Sequence, residues 1–365
     1  TYTSGSINQG SGTLVFTADY DQTSTITGSA SYTNVTFRDP GCSTNLIDIA
    51  SGSTVTITGT LTFDGDSGNC GHDELVGPGS IHAQGDITAT DDGWEGDVPI
   101  VINGSSTQEI SGDTLLGGSY TVQKSGNLEF TGTVYFDDDF SYVSGTIVPG
   151  TSTVVFTALY DSASTITGSS TFANVTFEAI GCSPNDITIA SGTTITVTGT
   201  LTFDGDTGNC GVDSVNGPGT IQGQGDIIAL DDGLIGSVGI TATGGSAQNL
   251  TANGSGTLPR GTFTINKTVG TTITATTDIP LDGTGQDLLV SSGTFDINGF
   301  DLDVDDSFSL GSSGTFILNG GETVSALSSA ADGSTVNYKG SGTYGSLAAG
   351  NSYNNLSITG SGSFT

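Results

Sequence analysis

The residues of this chain whose types and spacing could do chemistry are four cysteines and a recurring set of aspartates. Cys42 and Cys70 return, at the same interval, as Cys182 and Cys210. An even count in equivalent pairs predicts two disulfides, Cys42–Cys70 and Cys182–Cys210, with buried free thiols as the alternative. Each such loop would stabilise by roughly 3–4 kcal/mol in the chain-entropy model. Zinc is disfavoured, because His72 and His82 stand where the second copy has Val212 and Gln222. Asp64 and Asp66 recur as Asp204 and Asp206, and Asp91 and Asp92 recur as Asp231 and Asp232. Asp137, Asp138 and Asp139 form a further cluster, as do Asp301, Asp303, Asp305 and Asp306. Hard oxygen ligands on turns suit Ca²⁺, the one cofactor this pattern points to. Neither copy completes an EF-hand loop or the nonapeptide calcium-roll repeat, and Asp-Gly is also ordinary turn chemistry carrying solvated charge.

Sequons at Asn34, Asn103, Asn174, Asn249, Asn253, Asn266 and Asn355 are candidate glycosylation sites. Asn34 and Asn174 lie inside the matched motifs TNVTF and ANVTF, where an asparagine stacked at a coil corner is the competing reading. Catalysis finds little support. The basic residues are Arg38, Lys124, Arg260, Lys267 and Lys339, and none recurs between the copies. A Ser-His-Asp arrangement could use only His72 or His82. A carboxylate pair acting on glycans is the remaining enzymatic reading. Trp94 and the tyrosines could stack on sugars or pack at loop bases.

Composition narrows the partners. Five Lys+Arg against 38 Asp+Glu leave a formal net charge of -33. Nucleic acids and anionic membranes both require a cationic footprint, so both are excluded as partners. No apolar run approaches the roughly 18 residues of a membrane span. The start at Thr1 and the absence of methionine predict a mature chain that has lost a signal peptide, and hence an extracellular or cell-surface location.

The elements that must carry these residues are strands. ASGSTVTITGTLTFDGDSGNC at Ala50 returns as ASGTTITVTGTLTFDGDTGNC at Ala190, and residues 41–90 match 181–230 without a gap. Val55, Ile57, Leu61 and Phe63 share one parity, with Gly59 between them; Thr54, Thr56, Thr58, Thr60 and Thr62 share the other. Alternate strand residues face opposite ways, so the apolar set points inward and the threonines outward, with Gly59 at a bend. An ice-binding face would need flat Thr-x-Thr rows on many successive coils, and here they are strong only in the matched parts. A shorter period appears where SSGTFDING at Ser291 recurs as SSGTFILNG at Ser312. Units of this size are too thin to bury their own apolar face and must stack.

These observations predict an all-β parallel solenoid (β-helix) of roughly 15–17 coils of about 20 residues. Its divisions are repeat 1 at 1–140, repeat 2 at 141–284, and a partial, diverged repeat at 285–365. A row of β-sandwich domains is the alternative. STITGSSTFANVTF at Ser164, AQNLTANGSGTLPRGTFTINKT at Ala247 and SSGTFDINGFDLDV at Ser291 resemble the glycine- and threonine-rich repeats of large secreted bacterial surface proteins. That resemblance implies a parallel β-helix used as an adhesin, stalk or fibre. The chain opens at Tyr2 in mid-repeat and closes on NNLSITGSGSFT shortly before the equivalent point. Copies placed end to end would run on in register, so the expected partner is the chain itself in a head-to-tail homopolymer, with glycans as the alternative. The expected function is that of an extracellular structural protein, not an enzyme.

Overall fold

The computed structural model describes residues 9–17, 23–38, 45–65, 73–90, 94–112, 115–116, 118–157, 163–178, 186–205, 213–231, 233–253 and 256–364. It is an all-β parallel solenoid of about 13 turns averaging about 23 residues, with no helix among the described residues. Strand pairing is parallel throughout the described residues, which excludes the antiparallel β-sandwich alternative. Among the described residues no helix is long and apolar enough to cross a membrane. Contacts divide the chain into two compact units, Thr1–Asn174 and Val175–Thr365.

The coils are longer than the short repeat near Ser291 predicts, because coil length varies along the chain. Thr90 reaches back 26 residues to Asp64, Gln108 reaches 23 to Gly85, and Ser329 reaches 20 to Ser309.

In the first unit, one face stacks Thr13–Phe16, Asn34–Arg38, Leu61–Asp64, Ile87–Thr90 and Gln108–Ser111. A second stacks Ala30–Tyr32, Thr54–Ile57, Ser80–Ala83 and Ile100–Ile102, and a third stacks Thr23–Ile26, Asn45–Ile49, Asp73–Val76 and Glu95–Gly96. Register puts like on like. Val35, Leu61, Ile87 and Ile110 form one buried column, and Val55, Ile81, Ile100, Tyr120 and Phe140 another. Phe37 stacks on Phe63 at 5.9 Å, and in the second unit Phe177 stacks on Phe203 at 5.6 Å. Offset-stacked rings add to the area they bury. The second unit carries the columns Val175–Leu201–Ile227–Leu250 and Ile195–Ile221–Ile240–Phe263–Leu288–Phe308.

The parity reading of the Ala50–Phe63 segment holds: Val55, Ile57, Leu61 and Phe63 are buried and the intervening threonines are not. Gly59 stands at the bend, where a Cβ would lie 2.7 Å from Thr33 O. In the next coil a Cβ on Gly85 would strike Gly59 O, so glycine is required at both levels.

Corner side chains tie each coil to the next. Asp86 Oδ1 accepts from Glu109 N at 2.9 Å, Asp226 Oδ1 from Asn249 N at 2.7 Å, Asp139 Oδ1 from Thr165 N at 2.7 Å, and Asp287 Oδ1 from Ser307 N at 3.1 Å. Each carboxylate satisfies an amide of a neighbouring coil just where the ladder is interrupted, much as an N-cap does for a helix. Thermal or denaturant unfolding of Asp226→Ala should show a loss of about 1–2 kcal/mol, while Asp226→Asn, which keeps the accepting oxygen, should lose less than half of that.

Candidate functional site

The residues singled out from the sequence fall into three groups. All four cysteines, Cys42, Cys70, Cys182 and Cys210, lie outside the described residues, as do Asp66, Asp91, Asp92, Asp206, Asp232 and His72. The remaining candidates, Asp64, Asp204 and Asp231, are placed and differ between the copies. In the first unit Arg38 Nε donates to Asp64 Oδ2 at 2.9 Å, and Thr90 Oγ1 donates to Asp64 Oδ1 at 3.0 Å. In the second unit the place of Arg38 is taken by Glu178, which pairs in register with Asp204. Burial raises the Glu178 carboxyl above its ordinary range, and the Asp204 charge adds to this. Asp204 is raised by burial, by the charge of Asp231 and by a hydrogen bond with Asp231. Among the described residues no three His, Cys, Asp or Glu side chains converge as a metal site would require. The acid clusters expected near Asp137 and Asp301 are spread along the stack, with Asp139, Asp301 and Asp303 each accepting from a neighbouring coil.

The sequon asparagines also separate. Asn34 sits at a corner, accepting from Thr60 N at 2.9 Å through Oδ1 and donating through Nδ2 to Gly12 O at 3.4 Å. Asn174 Nδ2 donates to Ser152 O at 3.0 Å, Asn249 Nδ2 to Asp226 Oδ2 at 3.2 Å, and Asn355 Nδ2 to Ser334 O at 2.9 Å. These amides serve the stack. Asn103 faces His82, with Nδ2 and Nδ1 3.2 Å apart, while Asn253 and Asn266 are exposed. In the first unit the longest run of aligned hydroxyls is Thr36–Thr62–Thr88–Ser111–Thr131, in which Thr36 is buried and the residues two places on from Thr36 and Thr62 are Arg38 and Asp64 rather than threonines. That geometry does not make the flat double row an ice-binding face needs. Trp94 is buried against Phe37, as a packing residue is.

The structure corrects the expectation that no basic residue recurs. Tyr120 pairs with Ile100 and Phe263 pairs with Ile240, so YTVQK at Tyr120 and FTINK at Phe263 are equivalent, and Lys124 matches Lys267. A short insertion in the second copy hides this from an ungapped comparison. Both lysines point inward, with 4% and 1% of their surface exposed. Lys124 Nζ donates to Ser106 O at 2.7 Å; Lys267 Nζ donates to Thr243 O at 3.1 Å and Gln248 Oε1 at 2.5 Å. Burial lowers the proton affinity of both amines. Beside them lies a matched pair of buried glutamines. Gln108 Nε2 donates to Ala83 O and Gly85 O at 3.1 and 2.6 Å, and Gln248 Nε2 donates to Gly223 O and Gly225 O at 3.0 and 2.5 Å. The signal that would have found them is an apolar-flanked Gln and Lys recurring once the gap is opened.

A second buried polar group belongs to the first unit alone. Asp137 Oδ1 and the Tyr120 hydroxyl are both buried without a hydrogen-bond partner among the described residues. Burial first, then the neighbouring charges of Asp138 and Glu95, push the Asp137 carboxyl up to about 7, although a backbone hydrogen bond acts the other way. Tyr120 is raised by its own burial and by the charge of Asp137. The carboxyl therefore titrates near neutrality, where an exposed aspartate is already ionised.

No family model, no curated protein and no solved structure matches this chain.

Two consequences can be measured. Because the folded state holds the Asp137 proton more tightly than the unfolded chain does, its contribution is fully present below pH about 4 and is lost as pH rises to about 7. Asp137→Asn should therefore match the parent in stability near pH 3.5 and exceed it by about 1–3 kcal/mol at pH 8 in denaturant titrations. In the second unit, Gln248→Leu leaves the Lys267 ammonium and two carbonyls short of a partner and should cost about 2–4 kcal/mol. Adding Lys267→Met should restore at least about 1 kcal/mol, and strict additivity of the two changes would show that the residues are not coupled.

Proposed function

We propose that this chain is a structural segment of an extracellular protein, serving as the shaft of a surface stalk or as a subunit of a head-to-tail filament. The observation that carries this reading is the register of the stack. Column after column pairs like residues in parallel from coil to coil, as in Ile195–Ile221–Ile240–Phe263–Leu288–Phe308. Such a ladder is quasi-one-dimensional: each coil contacts its neighbours only, and the same pairing can be repeated without limit along one axis. Coils stacked this way need no prosthetic group, and a segment built of them serves to span distance. A net charge of -33 supports the same reading, because self-repulsion keeps neighbouring rods apart laterally while backbone pairing acts along the axis.

A glycan-binding adhesin is the second reading, favoured by the part-exposed hydroxyl column Thr62–Thr88–Ser111–Thr131, whose donors and acceptors sit one strand spacing apart. Negative-stain electron microscopy of purified protein at high concentration should show unbranched fibres whose length grows with concentration. Light scattering that finds monodisperse monomers, with and without calcium, would remove the filament version and leave the stalk. Saturable capture on a glycan array by those monomers would favour the adhesin.

A further inference from the structure

Three polar side chains of the first unit gather at the corner where the strand Thr133–Phe136 ends. Asp137 follows that strand directly. Thr157 follows Thr153–Phe156, the strand stacked on it with Phe156 opposite Phe136. Thr157 N donates to Phe136 O at 2.9 Å, so the ladder runs on past the strand ends and sets Asp137 and Thr157 side by side on successive coils. Tyr120 pairs with Phe140, one coil on; its ring lies 5.1 Å from that of Phe136, and the Asp137 charge acts on its hydroxyl. Tyr120 is 1% exposed and Thr157 0%. The Tyr120 hydroxyl, Thr157 Oγ1 and Asp137 Oδ1 are all buried, and none has a hydrogen-bond partner among the described residues. The neighbouring carboxylates are used differently: Asp138 accepts from Asp139 N at 2.8 Å, and Asp139 from Thr165 N at 2.7 Å.

Buried polar atoms left open in this way call for a ligand. One water would serve the two hydroxyls, but it would leave the charge of the carboxylate uncompensated. The basic residues of the first unit do not compensate it: Arg38 pairs with Asp64, and Lys124 Nζ donates to Ser106 O. Asp138 and Glu95 add negative charge around it. Burial and those charges push the carboxyl up to about 7, so near pH 8 the corner carries an anion without a counter-charge. A divalent ion is disfavoured, since no three His, Cys, Asp or Glu side chains converge among the described residues. A monovalent ion needs only one carboxylate, completed by neutral oxygens such as these hydroxyls.

The equivalent corner of the second unit closes on itself. Tyr120 N donates to Asp139 O at 2.8 Å and Phe263 N to Asp287 O at 2.9 Å, so Phe263 stands in the place of Tyr120, without a hydroxyl. Gln286, beside Asp287, is 1% exposed; its Oε1 accepts from Gly283 N and its Nε2 donates to Pro259 O, both at 3.1 Å. A neutral amide with both ends satisfied fills this corner, where the first unit has a carboxylate and two hydroxyls left open. We propose that the first-unit corner binds a small monovalent cation, Na⁺ or K⁺, on Asp137, Tyr120 and Thr157. The ion would tie successive coils together, so the salt around the protein would set the stability of this part of the shaft. The proposal stands whether the shaft is a filament or a stalk.

Trp94, the single tryptophan of the chain, is buried in the first unit, so its fluorescence reports the unfolding of that unit. Urea titrations near pH 8 take their ionic strength from tetramethylammonium chloride, too bulky an ion for the corner. Stepwise replacement by NaCl or KCl keeps screening constant. At least one of the two salts should lower the unfolding constant about five-fold or more by about 0.2 M, and comparing them identifies the ion. Asp137→Asn should abolish the response, so that its advantage over the parent in tetramethylammonium shrinks by the same factor in that salt. Tyr120→Phe and Thr157→Val, which each remove one oxygen, should each reduce the response to about two-fold or less, and Thr157→Ser should restore it. Asp86→Asn, which removes a charge from another corner of the same unit, should leave it intact. No response to either salt, or an undiminished one in Asp137→Asn, would overturn the proposal and leave the corner to water. A full response in both Tyr120→Phe and Thr157→Val would overturn it in favour of diffuse counter-ions. An equal response to Ca²⁺ at about a hundredth of the concentration would overturn it in favour of a divalent site.

Discussion

The structure depends on one constraint: among the described residues, the ladder bonds of the strands run between successive coils, in parallel, rather than within a coil. Val35 N donates to Thr60 O, Leu61 N to Asp86 O, and Ile100 N to Ser119 O, each a full turn away. An unpaired buried backbone group costs about as much as a lost hydrogen bond, so one coil alone has no stable fold. Register follows from this. A slip of one residue would turn Val55, Ile57, Leu61 and Phe63 outward and bring the threonines in. The glycine corners follow as well, since coils one strand spacing apart leave no room for a Cβ at Gly59 or Gly85.

The same constraint explains the acidic composition. Where a coil turns a corner the ladder is broken, and a short side chain with an accepting oxygen repairs it. Asp86, Asp139, Asp226, Asp287 and Asp301 do this with carboxylates, Asn34 with an amide and Ser53 with a hydroxyl. An ionised acceptor makes the stronger bond, and on a solvated corner its charge costs little. The two repeats then diverge in charge around one shared scaffold: Arg38 beside Asp64 becomes Glu178 beside Asp204, and a neutral pair becomes a carboxylate stack.

Two of the five cations, Lys124 and Lys267, are used where anions cannot serve. Carbonyls turned inward at a widened corner need a donor on a long stem, and lysine supplies one. Lys124 meets Ser106 O, and Lys267 meets Thr243 O. Gln108 and Gln248 cover the carbonyls beside them. These interior networks occupy equivalent places in the two units, whereas the Asp137 and Tyr120 pair is confined to the first.

Period two and long repetition sufficed, from the residues alone, to place Val55, Ile57, Leu61 and Phe63 inside, Gly59 at a bend and the chain among parallel solenoids. These are local properties: parity and glycine's missing Cβ act within a few residues. Coil length was not legible from Ser291 and Ser312, because it varies along the chain, from 26 residues between Asp64 and Thr90 to 20 between Ser309 and Ser329. The Lys124–Lys267 equivalence was hidden by an insertion, and became visible only when Tyr120 and Phe263 were seen paired to Ile100 and Ile240. The aspartates read as ligands from their turns alone. Only tertiary structure could assign Asp226 or Asp301 to an amide a whole coil away, because a hydrogen bond between coils depends on register and corner geometry, which no single stretch of sequence contains.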